Sequence, residues 1–114
     1  MQQVVDLEGS PEFQALGLQL LSIATDAPSQ LAAAVQDFGV ASPHLSDEGG
    51  KVTEAYGASQ WAMPSGEPGH TFVLVGTDGT VKWIRDYGAP QNGGLMYVPV
   101  DELLQELEPL LAED

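Results

Sequence analysis

"GHTFVLVGTDGTVKWI", residues 69–84, is the stretch that decides the fold. The β-branched and aromatic residues of "TFVLV", 71–75, predict a strand, and "VKWIRD", 81–86, predicts a second one. Between them stand Asp78 and Gly79, the pair favoured at the centre of a two-residue hairpin turn. The stretch therefore predicts an antiparallel hairpin over 71–86.

The chain upstream of the hairpin alternates strand and helix signals. "LQLLSIAT", 18–25, is a nearly continuous apolar run, which is typical of a strand covered on both faces. A helix is predicted after Pro28, with apolar residues at helical spacing up to Phe38, and a short helix is predicted after a Ser10 cap. A short extended piece follows at 43–45, and a short helix at 52–56.

A last helix is predicted from about Asp101, with Pro109 ending or kinking it near Glu108. A strand, a crossover helix and a hairpin in this order predict an α/β protein with a mixed sheet and helices on both faces. The 114 residues are enough for one domain, so a single domain over 1–114 is expected.

The composition excludes several classes of function. The net charge is −14, from 17 acids and 3 bases, which argues against nucleic-acid and anionic-membrane partners. No apolar run reaches the length of a membrane span, and the first residues lack a basic, apolar leader, so a cytoplasmic location is expected. The chain has no cysteine, which excludes disulfides and thiol nucleophiles, and neither a cofactor nor a metal is expected.

Four segments, in this order, resemble the AhpC/TSA-type redoxins, the peroxiredoxin-like branch of the thioredoxin fold. They are "FQALGLQLLSIATDAPSQLAAAVQDFGV", "PHLSDEGGKVTEAYGA", "GHTFVLVGTDGTVKWI" and "VPVDELLQEL". The resemblance covers roughly residues 13–108. It implies a thioredoxin-like mixed sheet with flanking helices and a thiol-dependent antioxidant oxidoreductase as the parent activity.

The resemblance also implies what this chain lacks. The family's redox cysteine, with the strand before it, would lie upstream of Met1, so the fold is expected to miss its N-terminal strand or strands. The family's arginine before the hairpin strand corresponds to Gly69, beside His70. The cleft near the missing thiol is expected to include Pro68, Gly69, His70 and Thr71, and a cis bond before Pro68 is one possibility.

The two long loops carry large side chains with two interpretations. Trp61, Met63, Met96 and Tyr97 either contact a partner near the missing thiol or cap the core. His44 and His70 are the only histidines and have no helical pairing, so a hydrogen-bonded or surface role is favoured over a metal site. Phe38, Tyr56, Phe72 and Trp83 are expected in the core.

Two hypotheses of function follow. In the first, the chain is the remainder of a thiol-dependent peroxide or disulfide reductase, inactive as given because it has no cysteine. A missing central strand would leave backbone groups unpaired, so self-association, as a dimer or by element exchange, is expected. In the second, the chain is a non-catalytic thioredoxin-fold module that binds a redox protein, and its acidity favours a basic partner.

Overall fold

The computed structural model describes residues 2–61, 70–89, 92, 94–95 and 97–112. These residues belong to two compact units, one made of residues 1–48 with 98–114 and the other of residues 49–97. The single domain over 1–114 stays a prediction.

The first unit contains four helices and two strands. The elements are α1 (Gln2–Glu8), α2 (Pro11–Gln14), β1 (Ser22–Ala24), α3 (Pro28–Phe38), β2 (His44–Ser46) and the final helix of the chain, α5 (Val100–Ala112). Strands β1 and β2 pair in parallel, with α3 as the crossover between them. This is the strand–helix–strand arrangement that the sequence predicts.

Local signals set the ends of the first helices. The Ser10 hydroxyl accepts a hydrogen bond from the Phe13 N–H at 3.2 Å, which caps α2 as expected. Gly39 ends α3 in the left-handed conformation, with φ of 68°. A side chain would be strained at that φ, and a glycine is not.

The core of the first unit is mostly apolar, and the buried polar side chains among its described residues are Gln3 and Asp47. Its buried apolar side chains include Val98, which precedes α5, and from the helices Leu7, Phe13, Leu31, Leu103 and Leu107. Gln3 donates from Nε2 to the Val98 carbonyl at 3.0 Å and accepts from the Val98 N–H at 2.7 Å. Both bonds keep a buried amide paired and tie α1 to the segment that leads into α5.

Of the two outcomes predicted at Pro109, an end or a kink of helix α5, the end near Glu108 is wrong. The helix does not end near Glu108 but continues through Pro109 to Ala112. A proline inside a helix leaves one carbonyl, that of Gln105, without its helical N–H. Gln105 is exposed, so water can take the place of that N–H and the helix reaches its last turn.

The second unit contains the hairpin. Its elements are α4 (Lys51–Ala55), a 3₁₀ helix (Ala58–Trp61), β3 (Thr71–Val75) and β4 (Val81–Asp86). Strands β3 and β4 pair antiparallel, from Thr71 opposite Asp86 to Leu74 opposite Trp83, and the register shifts at Val75. The predicted two-residue turn at Asp78-Gly79 is wrong, because the connection runs from Gly76 to Thr80, with the Gly76 N–H donating to the Thr80 carbonyl at 2.8 Å. Gly79 has φ of 85°, whereas Asp78 does not have a positive φ, which a two-residue turn of this type would require of it.

The fold is a mixed α/β arrangement with one parallel and one antiparallel strand pair, in agreement with the predicted class. Within the part of the chain that the structure describes, each pair forms its own two-stranded sheet. The predicted strand over 18–25 is shorter than expected, because only Ser22–Ala24 pair with β2.

Two of the aromatic residues expected in the core lie on the surface. Phe38 is 48% exposed and Tyr56 is 41% exposed. Each stands beside the glycine that ends its helix, so neither has a following turn to cover it. Phe72 and Trp83 are half-buried on the hairpin.

Candidate functional site

Two members of the predicted cleft, His70 and Thr71, lie among the described residues, at the start of the hairpin. His70 immediately precedes β3, and its carbonyl accepts from the Tyr87 N–H at 2.8 Å. Thr71 is the first residue of β3 and lies opposite Asp86. Because side chains alternate along a strand, these two neighbours point to opposite faces of the hairpin.

One face carries a row of ring contacts that we call the hairpin cluster: His70, Phe72, Arg85 and Tyr87. The His70 and Phe72 rings meet edge to face with centroids 5.2 Å apart, and the Phe72 and Tyr87 rings do so at 5.6 Å. The Arg85 guanidinium carbon lies 5.0 Å from the centre of the Tyr87 ring, a cation–π distance. Tyr87 is only 1% exposed, so it anchors the cluster.

The other face holds a buried carboxylate. Asp86 is 1% exposed, and its Oδ1 accepts a hydrogen bond from the Thr71 hydroxyl at 2.8 Å. Its backbone carbonyl accepts from Asn92 Nδ2 at 2.8 Å, which fixes the turn that follows β4. A buried carboxylate is costly unless it is hydrogen-bonded, so Thr71 is a structural partner of Asp86.

His70 is held in its neutral form. Burial lowers the pKa of its imidazole below the ordinary value of 6.5, and the nearby Asp86 carboxylate offsets only part of that effect. At neutral pH the start of β3 therefore presents an uncharged imidazole. Such a group can accept or donate a hydrogen bond, but it does not supply a positive charge.

The structure describes only some of the other predicted site residues. Pro68, Gly69, Met63 and Met96 lie outside the described residues, and so does the peptide bond before Pro68. Trp61 ends the 3₁₀ helix and is half-buried, while Tyr97 is 41% exposed.

Sequence reasoning missed three residues of the hairpin: Arg85, Asp86 and Tyr87. The register of the predicted hairpin could have identified them. Residues that lie opposite His70, Thr71 and Phe72 on the paired strand must be their neighbours.

A second polar constellation, also missed, lies in the first unit. The Glu8 carboxylate accepts from the N–H groups of Ala41 and Ser42, both at 2.9 Å, and from the Ser42 hydroxyl. Burial acts to raise the Glu8 pKa, but these hydrogen bonds, together with nearby His44, lower it overall from its ordinary value of 4.5. We call this arrangement the Glu8 clamp, because it ties the end of α1 to the segment before β2.

The Glu8 clamp does not make Ser42 a nucleophile. Activation of a hydroxyl needs a base whose pKa is near the working pH, whereas the hydrogen bonds lower that of Glu8. Over the ranges that the structure describes, no three His, Asp or Glu side chains are grouped to hold a metal ion, and no helix is long and apolar enough to cross a bilayer. The clamp is thus a structural tie.

The β1–α3–β2 crossover and the β3–β4 hairpin are parts of a thioredoxin-like α/β protein. The hairpin cluster lies at the start of β3, where the predicted cleft begins. The profile of the AhpC/TSA family matches residues 2–84. The chain belongs to the AhpC/TSA family, and it has no cysteine. No curated protein matches it.

Proposed function

We propose that this chain is the scaffold part of a thiol-dependent redoxin, a peroxide or disulfide reductase, and that it does not catalyse the reaction by itself. The observation that carries the proposal is the family match over residues 2–84 in a chain without cysteine. The thiol would be supplied by sequence outside these 114 residues.

The chemistry requires that thiol. In peroxide reduction a thiolate sulfur attacks one peroxide oxygen, the O–O bond breaks, and the second oxygen leaves as water or an alcohol after taking up a proton. The sulfur is oxidised to a sulfenic acid, which a second thiol reduces. Hydroxyl groups do not ionise near neutral pH, and a methionine thioether cannot form a thiolate, so neither replaces the cysteine.

The electrostatics of the hairpin support the same proposal. A reactive thiolate needs a neighbouring positive charge to lower its pKa. His70 is neutral at physiological pH, and the Arg85 guanidinium lies against the Tyr87 ring. The neutral His70 therefore supplies no positive charge that would lower the pKa of a thiol.

The purified 114-residue chain tests the proposal directly. With dithiothreitol or a thioredoxin system as reductant, we expect no consumption of hydrogen peroxide or an alkyl hydroperoxide above that of heat-denatured protein. We also expect no reduction of insulin disulfides. Turnover that is proportional to the concentration of the folded chain would overturn the proposal.

A second candidate is a non-catalytic module that binds a basic redox protein in the cytoplasm. Tyr97, 41% exposed on a chain of net charge −14, is the observation that favours it. Affinity capture from cytoplasmic extract, with wild type and Tyr97→Ser in parallel, tests it. A specific partner retained only by wild type supports this candidate, and equal recovery by both proteins removes it.

A further inference from the structure

Arg85 carries the positive charge of the hairpin cluster, and its guanidinium is short of an acceptor. The guanidinium carbon lies 5.0 Å from the centre of the Tyr87 ring. The Arg85 Nε–H is buried, and no described residue accepts a hydrogen bond from it. A buried donor without an acceptor is costly, and more so when the donor group is charged. This position of the hairpin therefore lacks an acceptor for the group that it holds.

The acid next to Arg85 in the chain does not supply that acceptor. Asp86 follows Arg85 on β4, and because side chains alternate along a strand, the two point to opposite faces of the hairpin. On its own face, the Asp86 carboxylate accepts from the Thr71 hydroxyl. The chain has 17 acids and 3 bases, yet its neighbouring carboxylate is directed away from this guanidinium.

Aromatic rings surround the guanidinium. Phe72 is the register partner of Arg85 on β3, and its ring contacts the rings of His70 and Tyr87 edge to face. His70, Phe72 and Arg85 are half-buried, so part of each side chain is accessible from solvent. Burial keeps the His70 imidazole neutral. The cluster therefore combines one positive charge with apolar ring surface.

We infer that the hairpin cluster binds a small monocarboxylate with an aromatic body, with Arg85 as the residue that holds the carboxylate. The planar guanidinium donates two parallel N–H groups, a geometry that matches the two oxygens of a carboxylate. The aromatic body of the ligand packs against the Phe72 ring, as rings already do within the cluster.

Charge selects a monoanion over a more highly charged one. The site offers a single positive charge, and the chain around it has a net charge of −14. A phosphate, with close to two negative charges, would be repelled more strongly by the chain and would leave part of its charge unpaired. An apolar monocarboxylate pairs its one charge with Arg85 and removes its ring from water.

The probe is benzoate, titrated into the purified 114-residue chain and followed by NMR. We expect saturable shifts of the His70 and Phe72 resonances. Benzamide has the same ring without the charge, and both benzamide and inorganic phosphate should bind at least ~10-fold more weakly than benzoate. Added salt should weaken the binding of benzoate, because a partly exposed charge pair is screened.

Two variants with equal changes of charge locate the site. Arg85→Gln should raise the dissociation constant of benzoate at least ~10-fold. Lys82→Gln is the matched control, because Lys82 is a base of the same strand whose side chain lies beside Gly76, near the turn. Arg85→Lys keeps the charge but not the planar fork, so its affinity should be intermediate. Circular dichroism verifies that each variant is folded.

Three results would overturn the inference: no saturable shift with benzoate, equal binding of benzoate and benzamide, or equal losses in Arg85→Gln and Lys82→Gln. A fourth concerns Glu67, which precedes His70 by three positions and lies outside the described residues. If Glu67→Gln binds benzoate more tightly than wild type, Arg85 pairs with Glu67 in the free chain and the inference is also overturned. The inference does not depend on the redox proposal, since no thiol takes part in the binding.

Discussion

Thr71 and Asp86 face each other across the β3–β4 hairpin, and the threonine hydroxyl donates to Asp86 Oδ1 at 2.8 Å. The carboxylate is 1% exposed, so this bond pairs a group that has left water almost completely. The hairpin thus positions a neutral His70 on one face and the buried Asp86 carboxylate on the other.

Removing the Thr71 hydroxyl should destabilise the hairpin. Thr71→Val keeps the shape of the side chain but leaves the buried Asp86 oxygen without that donor, which costs about 1–3 kcal/mol. Urea denaturation followed by tryptophan fluorescence measures the loss. Thr80→Val is the matched control, because the Thr80 hydroxyl bonds to Asp78 in an exposed turn. Equal losses in the two variants would contradict the role given to Thr71.

The Glu8 clamp should contribute to the stability of the first unit. Glu8→Gln removes the negative charge that accepts from Ala41 and Ser42, and partial solvent exposure limits the expected loss to about 1–2 kcal/mol. Glu54→Gln, on the exposed surface of α4, is expected to change the unfolding free energy by less than about 0.5 kcal/mol. If Glu8→Gln has the same unfolding free energy as Glu54→Gln, the Glu8 clamp does not contribute to stability.

The pH dependence of that loss has a defined direction. The folded-state pKa of Glu8 lies below the ordinary value of 4.5, so its ionised form is favoured by folding. The stabilisation is present above pH 4.5 and is lost as the pH falls through the lower folded-state pKa. The difference in unfolding free energy between wild type and Glu8→Gln should be constant near neutral pH and shrink in acid. A difference that already disappears near neutral pH would contradict this assignment.

His70 should titrate below its ordinary value. Burial lowers its pKa from 6.5, so the unfolded chain binds more protons than the folded chain as the pH falls through 6.5. The unfolding free energy should therefore decrease from its value above pH 6.5 until the folded-state pKa is passed. The imidazole proton resonances measure the midpoint, with a His70→Gln variant for assignment. A midpoint at or above 6.5 would mean that the attraction of Asp86 outweighs burial.

Local sequence signals predicted where helices and strands form. They did not predict the features that depend on pairing between distant parts of the chain. The hairpin followed from strand propensity around Asp78-Gly79, and α2 followed from its Ser10 cap. The length of β1 could not be predicted from the sequence, because an apolar run shows where a strand can form but not how many of its residues pair with another strand. The Glu8 clamp joins residues 33 and 34 positions apart, and no local pattern announces such a contact.

The site was predicted only in part for the same reason. His70 and Thr71 were found from the family resemblance, whereas Arg85 and Tyr87 entered through the register of β4 and their ring contacts. Pro109 predicted an end or a kink of α5, and the helix does not end there, since a proline is tolerated where the carbonyl it leaves free is exposed to water.

The most direct test of the central claim is to read the DNA immediately upstream of the Met1 codon in the same frame. The account predicts codons for an apolar strand followed by a cysteine-bearing loop, and thiol-dependent peroxide or disulfide reduction by the longer protein. A stop codon or an unrelated sequence at that place would contradict it. The cysteine-free chain would then be the gene product, and the binding module would take the place of the redoxin scaffold.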